Sequence, residues 1–254
     1  MNEIEIIQIT DLHLNANKSH IAHDTNPYNS AQIIINEVIK ENKNINSLIL
    51  TGDLVDDESR EGYENLSGLL AEAHDKCQIF LMPGNHDSIE EIDRLCKIKN
   101  FNNDKHFSIN NWIIFMFNTK KNNSPNGILY EKEIDDLKNL LNTFPTKNFM
   151  IFLHHHPIII ESESMDKMII ENSEILINII KDNENIKGVC WGHIHQEITT
   201  KINKTKLFST PSTCYQAAPK SKSFVIDHSA KPGYRVIKLL GDGKIKTHVT
   251  RCEI

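Results

Sequence analysis

Short apolar runs alternate with longer amphipathic stretches from residue 4 to residue 191. The runs end in turn-forming or polar residues, which is typical of buried strands, whereas the stretches repeat apolar residues at helical spacing. The runs predict strands at 4–9, 47–50, 77–82, 112–117, 148–153 and 186–191. The stretches predict helices at about 30–41, 59–74, 90–97, 131–141 and 169–181. Ser30 is the expected N-cap of the first helix.

The pattern changes after residue 196. Short alternating segments at 197–202, 206–209, 234–240 and 244–250 are separated by turn signals, which predicts an antiparallel β region. Together with the preceding strand-helix alternation, this predicts an α/β fold in which a two-sheet β-sandwich is flanked by helices. With no repeat or linker in the chain, we expect residues 1–254 to form a single domain.

Composition narrows the possible partners. The net charge of -6 argues against a general binder of nucleic acid or of anionic membranes. The five cysteines include no CxxC pair, and we interpret all of them as reduced thiols. The start of the chain does not resemble a signal peptide, and no apolar run approaches the roughly 20 residues that span a bilayer. We therefore expect a soluble, cytoplasmic protein.

Residues able to bind metals follow five of the predicted strands. In open α/β sheets, ligands bind at the carboxyl ends of strands. Oxygen and nitrogen donors suit Mn, Fe and Zn ions, whereas structural zinc favours cysteine. Two-metal sites are the usual machinery for hydrolysing phosphate esters, and the donors are numerous enough for two ions. The candidates are Asp11, His13, Asp53, Asn85, His86, Asp87, His154, His155, His156, His193 and His195.

The spacing of these candidates is consistent with convergence. In Asp11-x-His13 and His193-x-His195, residues two apart on an extended segment point to the same side. Glycines 52, 84 and 192 precede ligand blocks and allow the backbone to turn beneath the metals. In the histidine run at 154–156, alternation places the first and third side chains on one face and the second on the other. Only one of these two faces is expected to serve the metals.

Each block has a simpler interpretation when it is taken alone. Asp-x-His and Gly-Asp are ordinary turn signals, and residues 84–87 are compatible with a loop of Asx turns. The acidic run at 56–58 is expected to be a solvated loop face, although a carboxylate there would also be able to support the metals from behind. Five such coincidences, all at strand ends, explain the chain less well than one metal site does.

The five blocks, complete and in this order, resemble the calcineurin-like metallophosphoesterases. The resemblance implies a first metal held by Asp11, His13, Asp53 and His195. It implies a second metal held by Asp53, Asn85, His193 and one histidine of the run. Asp53 would bridge the two ions. The family's ligand usually stands two residues before the proline, which selects His155. His86 would face the leaving-group oxygen and stabilise or protonate it as the candidate acid, oriented by Asp87.

A closer resemblance, to the bacterial class III 3',5'-cyclic-AMP phosphodiesterases, rests on blocks at 26–28, 192–197, 210–214 and 232–235. It implies a two-metal hydrolase that opens 3',5'-cyclic AMP to the 5'-monophosphate by means of a metal-bridging hydroxide. It implies iron or manganese as cofactors, with zinc as an acceptable substitute. The expected substrate-binding residues are Asn85, His86, His156 and His195.

Two alternatives stay open at this stage. The first keeps the chemistry and changes the substrate to a 2',3'-cyclic nucleotide or another phosphoester. The second is a non-catalytic scaffold on the same fold, which is disfavoured because no ligand is missing from the five blocks. The expected partner is a small cyclic nucleotide, with no nucleic acid and no membrane, and the oligomeric state is left open.

Overall fold

The protein was analysed as a computed structural model, which describes residues 3–42 and 44–254. The strands are β1 Ile4–Ile9, β2 Ser47–Thr51, β3 Gln78–Met82, β4 Phe101–Asn102, β5 His106–Ile109, β6 Trp112–Met116, β7 Asn148–Phe152, β8 Ile186–Trp191, β9 Ile198–Ile202, β10 Thr205–Ser209, β11 Gly233–Leu239 and β12 Ile245–Arg251. The helices are α1 Pro27–Glu41, α2 Arg60–Leu69, α3 Ala71–His74, α4 Ile89–Leu95, α5 Glu131–Thr143, α6 Glu163–Asp166 and α7 Ser173–Asp182. Within the described ranges, no helix is long and apolar enough to cross a membrane.

The strands form two six-stranded mixed sheets. Their orders are β12-β11-β1-β2-β3-β4 and β5-β6-β7-β8-β10-β9. Strands β1, β2 and β3 run parallel in the first sheet, as do β6, β7 and β8 in the second. Parallel neighbours finish at the same edge of a sheet, so the residues that follow these strands are gathered at one edge of each sheet.

Apolar packing stacks the sheets face to face between two helical layers. The core between the sheets includes Phe80 from the first and Trp112 and Phe152 from the second. Leu66 of α2 belongs to the core on the outer face of the first sheet, and Leu137 of α5 to the core on the outer face of the second. The predicted sandwich flanked by helices is confirmed.

Three predicted helices differ from the structure by more than two residues at one end, or are divided. Helix α1 begins at Pro27, and the side chain of Asn26 rather than Ser30 caps it, because proline suits the first helical turn. The 59–74 stretch is divided at Leu70 into α2 and α3. Helix α7 begins at Ser173 because Ile170, expected inside the helix, forms a bridge with Gly127 and is followed by a turn.

The predicted antiparallel region after residue 196 is not a separate unit. Hairpin β9-β10 joins the second sheet, where β10 lies parallel to β8. Hairpin β11-β12 joins the first sheet, where β11 lies antiparallel to β1. Each hairpin therefore extends a different sheet. The alternating pattern predicted the strands, but their partners depend on contacts distant in the sequence.

Candidate metal centre

The carboxyl ends of β1, β2, β3, β7 and β8 converge where the edges of the two sheets meet. The Asp11 carboxylate, after β1, accepts the backbone N–H of His193, after β8, at 2.9 Å. His154, after β7, contacts the Thr51 carbonyl of β2 through Nδ1 at 2.7 Å. These two bonds join the two sheets at the site.

The backbone at the site is left-handed at five candidate ligands. The φ angles are 54° at Asp11, 49° at His13, 49° at Asp53, 65° at His193 and 51° at His195. Such values are uncommon outside glycine and are concentrated at functional sites. The expectation of extended segments with residues two apart on one side was therefore wrong in its mechanism. The pairs converge because tight left-handed turns aim both side chains inward.

Glycine is required at the site mainly by close approach. Gly52 has a φ of 98°, as expected of a turn, but Gly84 and Gly192 are not in the left-handed region. A Cβ atom on Gly84 would lie 2.2 Å from Oδ1 of Asp53, and one on Gly192 would lie 1.9 Å from Oγ1 of Thr10. Any side chain at either position would displace the carboxylate loops.

The first donor group is centred on two histidines. Nε2 of His13 and Nε2 of His195 lie 3.1 Å apart, and Oδ1 of Asp11 lies 3.5 Å from the latter. Each imidazole directs its Nδ1 to an acceptor, His13 to Asp56 at 2.9 Å and His195 to the Tyr215 carbonyl at 2.8 Å. A neutral imidazole that donates through Nδ1 presents a lone pair at Nε2. Two lone pairs and a carboxylate oxygen that face one another fit a bound cation.

The second donor group shares a carboxylate with the first. Oδ2 of Asp53 lies 3.3 Å from Nε2 of His154 and 3.9 Å from Nε2 of His13. Oδ1 of Asn85 lies 3.3 Å from the same His154 nitrogen. Because Nδ1 of His154 contacts the Thr51 carbonyl, its Nε2 is again the acceptor in the neutral ring. Acceptors from three residues converge here as well, and Asp53 stands between the two groups.

The structure brings His154, rather than His155, next to Asp53 and Asn85. His155 is also near, since one ligand atom from each of His154, His155 and His193 lies within 4.8 Å of the others. Within residues 3–42 and 44–254, Nε2 of His155 and Nε2 of His193 are buried without a hydrogen-bond partner. In the sequence, alternation of side chains left both faces of the 154–156 run possible. The family's usual position, two residues before the proline, selected His155, on the opposite face from His154.

His156 lies on the side of the run that faces α6. Its side chain is fully buried, and Nε2 lies 3.6 Å from Oδ1 of Asp166. Burial lowers the pKa of His156 to about 4. We expected His156 to bind the substrate, but its ring is fully buried and has no surface accessible to a ligand in this structure.

His86 is the exposed imidazole of the site, with 42% of its side chain accessible. Its Nδ1 lies 3.1 Å from Oδ1 of Asp56, the same oxygen that contacts His13. The bond to Asp56 raises the pKa of His86 to about 9 despite partial burial. Asp56 therefore connects a metal-ligand candidate with the candidate acid, a role that the sequence offered only as an alternative to a solvated loop.

Asp87 does not orient His86, contrary to the expectation from the resemblance. Its carboxylate is fully buried and accepts four donors, from the backbone of Leu54, Val55 and Gly84 and from the Tyr63 hydroxyl. This side chain joins the loops after β2 and β3. The difference arises because the tight turn after Gly84 directs Asp87 into the protein and leaves His86 outside.

Asp87→Ala should therefore act mainly on stability. Removing the carboxylate leaves four buried donors without their partner, so we expect the free energy of unfolding to fall by about 3–5 kcal/mol. Urea denaturation of the metal-free protein measures this effect, with Tyr63→Phe as a milder variant that removes one donor. Unchanged stability, together with a loss of turnover only, would restore the catalytic role expected from the sequence.

The buried charges of the site depend on one another. Burial disfavours ionised Asp53, but the His154, His13 and His86 imidazoles outweigh it and hold the pKa of this carboxyl well below its usual range. Burial likewise disfavours charged His154, but the carboxylates of Asp53 and Asp11 raise its pKa to about 9. The carboxylates of Asp53 and Asp11 therefore stabilise a positive charge at this position in the site.

A polar cavity of about 640 Å³ lies beside His86. Lys120 lines it and donates to the backbone carbonyl of Asn85 at 2.8 Å. Glu58, Asn122 and Asn123 also line this cavity. The donor groups thus adjoin a volume that can accept a small polar molecule.

Comparison with known families agrees with this geometry. The family described as calcineurin-like phosphoesterase matches residues 4–197. This range contains all of the candidate ligands.

Curated relatives are similar over nearly the whole chain. A 3',5'-cyclic adenosine monophosphate phosphodiesterase of Haemophilus influenzae is 31% identical over 251 residues, covering 98% of this chain and 90% of the relative. A 3',5'-cyclic-nucleotide phosphodiesterase of Nostoc sp. is 32% identical over 254 residues, covering 99% and 94%. A relative from Vibrio vulnificus with the same description as the Haemophilus protein is 29% identical over 251 residues.

Solved structures share the fold at much lower identity. A dimetal phosphatase from Danio rerio has a TM-score of 0.66 at 12% identity, over 97% of this chain and 98% of that one. A purple acid phosphatase from yellow lupin has a TM-score of 0.67 at 10% identity, over 98% of this chain and 54% of that one. These similarities concern the architecture alone.

Proposed function

Because this chain belongs to the calcineurin-like phosphoesterase family, we propose that it hydrolyses 3',5'-cyclic AMP to the 5'-monophosphate. The observation that carries the proposal is the convergence of the two donor groups on Asp53. The substrate assignment is supported by the relatives that align over almost the full chain, which are named as 3',5'-cyclic nucleotide phosphodiesterases. A cytoplasmic location stays a prediction.

We assign two metal ions to the donor groups. The first ion is assigned to Asp11, His13, Asp53 and His195. The second is assigned to Asp53, Asn85, His154 and His193. Such oxygen and nitrogen donors fit iron or manganese, with zinc as a substitute. When bound, a metal pair lowers the pKa of a water molecule and neutralises charge on the phosphate.

The remaining residues of the site act on the substrate and on the ligands. His86 would donate a proton from Nε2 to the departing 3'-oxygen, since Nδ1 is engaged by Asp56. Asn85 borders the cavity and would orient the phosphate. Asp56 and the Tyr215 carbonyl hold the His13 and His195 rings with Nε2 facing inward.

A substrate panel tests the proposed function. Protein stripped with a chelator is assayed on 3',5'-cyclic AMP, 2',3'-cyclic AMP and bis(4-nitrophenyl) phosphate, before and after addition of Mn or Fe. We expect metal-dependent opening of the 3',5'-cyclic ester. Turnover of only the other two esters would retain the site and discard the substrate, whereas inactivity on all three with metals bound would favour a scaffold.

The choice between His154 and His155 has a separate test. His154→Ala removes a donor next to Asp53 and Asn85, so we expect purified protein to retain about one metal per chain instead of two. His155→Ala should retain more metal than His154→Ala, because among the described residues Asp53 shares a donor group with His154 and not with His155. Elemental analysis after gel filtration measures both variants. The reverse order of metal content would return the ligand position to His155.

A further inference from the structure

An aromatic cluster lies against the first donor group. The Tyr215 ring stacks on His13, with centroids 5.2 Å apart and planes inclined by 28°, and lies 4.7 Å from the His195 ring. The same tyrosine contacts His23 edge-on at 4.5 Å and Phe224 at 6.3 Å. Aromatic contacts therefore continue from the metal-ligand candidates to the protein surface.

The outer members of this cluster are open to solvent. His23 is exposed, and 41% of Phe224 is accessible. Their ring centroids lie 5.8 Å apart. Exposed aromatic groups that border a deeply polar site are common at surfaces that bind ligands.

His23 is presented by a strained two-residue turn. Ala22 and Thr25 exchange two backbone hydrogen bonds, each of 2.9 Å, around it. His23 and Asp24 at its tip have φ angles of 48° and 64°. Glycine and asparagine are the usual residues at both positions of such a turn. Strain retained at a loop tip next to a donor group indicates a functional placement.

Phe224 is held by a loop that is fastened to the rest of the protein. Ala218 donates its backbone N–H to the Val225 carbonyl at 2.8 Å, which closes the hairpin that carries Phe224. The Ser221 carbonyl accepts the backbone N–H of Glu163 at 3.0 Å, which attaches the loop to α6. The backbone that carries the ring is therefore held in place, with the ring 5.8 Å from that of His23.

We propose that His23 and Phe224 form a stacking platform for the nucleobase of the substrate. The inference rests on the proposed function, which places the phosphate at the two donor groups. A nucleobase is a flat, uncharged π-system, and stacking on aromatic side chains is how proteins hold it with little sequence preference. Tyr215 bridges the platform and the first donor group, so that one nucleotide reaches both. The polar cavity beside His86 then receives the sugar side of the substrate or solvent.

Two variants remove the stacking faces with little other change. His23→Asn retains a residue that tolerates the left-handed backbone, and Phe224→Leu retains apolar bulk without a ring. The control is Phe144→Leu, since 39% of Phe144 is exposed at the end of α5, outside the aromatic cluster. The substrates are 3',5'-cyclic AMP and the cyclic phosphate of the same sugar without a base.

We expect both variants to lower the ratio of kcat/KM for cyclic AMP to that for the abasic ester by about tenfold or more. The loss should lie mainly in KM for cyclic AMP, and the control should retain the ratio of the unmodified protein. An unchanged ratio in both variants would overturn the platform. The platform would also be overturned if this ratio fell in Asn122→Ala or Asn123→Ala but not in the two platform variants. The base would then occupy the 640 Å³ cavity.

A binding measurement keeps this test separate from the proposed function. 2-Aminopurine riboside 5'-monophosphate is titrated into metal-loaded protein, and quenching of its fluorescence reports stacking of the base. We expect quenching that both variants reduce and that the Phe144→Leu control retains. If the unmodified protein opens neither ester, the proposed function fails, and the titration still decides the platform. Quenching that is equal in all four proteins would overturn the platform even if cyclic AMP is hydrolysed.

Discussion

Asp53→Ala should lose both cyclic AMP hydrolysis and the bound metals in one step. Asp53 belongs to both donor groups, with Oδ2 at 3.3 Å from Nε2 of His154 and 3.9 Å from Nε2 of His13. Its other oxygen accepts the backbone N–H of His86 at 3.0 Å, so the carboxylate also shapes the loop that carries the candidate acid. Removing it separates the two groups, and we expect turnover below detection.

Metal content by elemental analysis and initial rates on cyclic AMP measure this outcome on the same sample. Asp135→Ala, which removes an exposed carboxylate from α5, is the matched control and should retain both. Asp53→Asn preserves the shape of the side chain and serves if the alanine variant folds poorly, as judged by circular dichroism. A folded variant that retains two metals per chain would contradict the bridging position of Asp53.

His86→Ala should separate catalysis from metal binding. The ring is the most exposed of the site's imidazoles, and Nδ1 is engaged by Asp56, so its loss leaves both donor groups in place. We expect two metals per chain and a fall in kcat for cyclic AMP of about 10²–10⁴, the range for loss of a general acid. The fall should be smaller for bis(4-nitrophenyl) phosphate, because its leaving group departs without a proton.

Two further variants test the interpretation of His86→Ala, one at the partner of His86 and one as a control. Asp56→Asn should lower activity by about 10–100-fold, since it weakens the hold on both His13 and His86. His228→Ala removes an exposed histidine of the 227–230 turn and should behave like the unmodified protein. If His86→Ala instead loses its metals, the residue is a ligand and the acid must be sought elsewhere.

Much of the fold followed from local pattern. The apolar run at 186–191 predicted β8 to the residue, and the runs at 47–50, 77–82 and 148–153 predicted β2, β3 and β7 to within one residue at each end. Those parts succeeded because burial on both faces requires a continuous apolar run, whatever its neighbours. The predicted start of α7 was wrong. Ile170 fits the apolar spacing of a helix, but it pairs with Gly127 from a distant loop. The partner sheets of the two final hairpins were likewise beyond local pattern.

At the site, the sequence by itself determined the donor chemistry and the order of the blocks along the chain. Carboxylates, an amide and imidazoles at strand ends are a property of composition and spacing, and the family was recognisable from them. The tertiary structure decided which atoms meet. It turned Asp87 inward to hold two loops, brought Asp56 against His86, and placed His154 beside Asp53. These outcomes depend on left-handed turns and on the approach of two sheets, because the direction of a side chain at a strand end is set by packing across the interface.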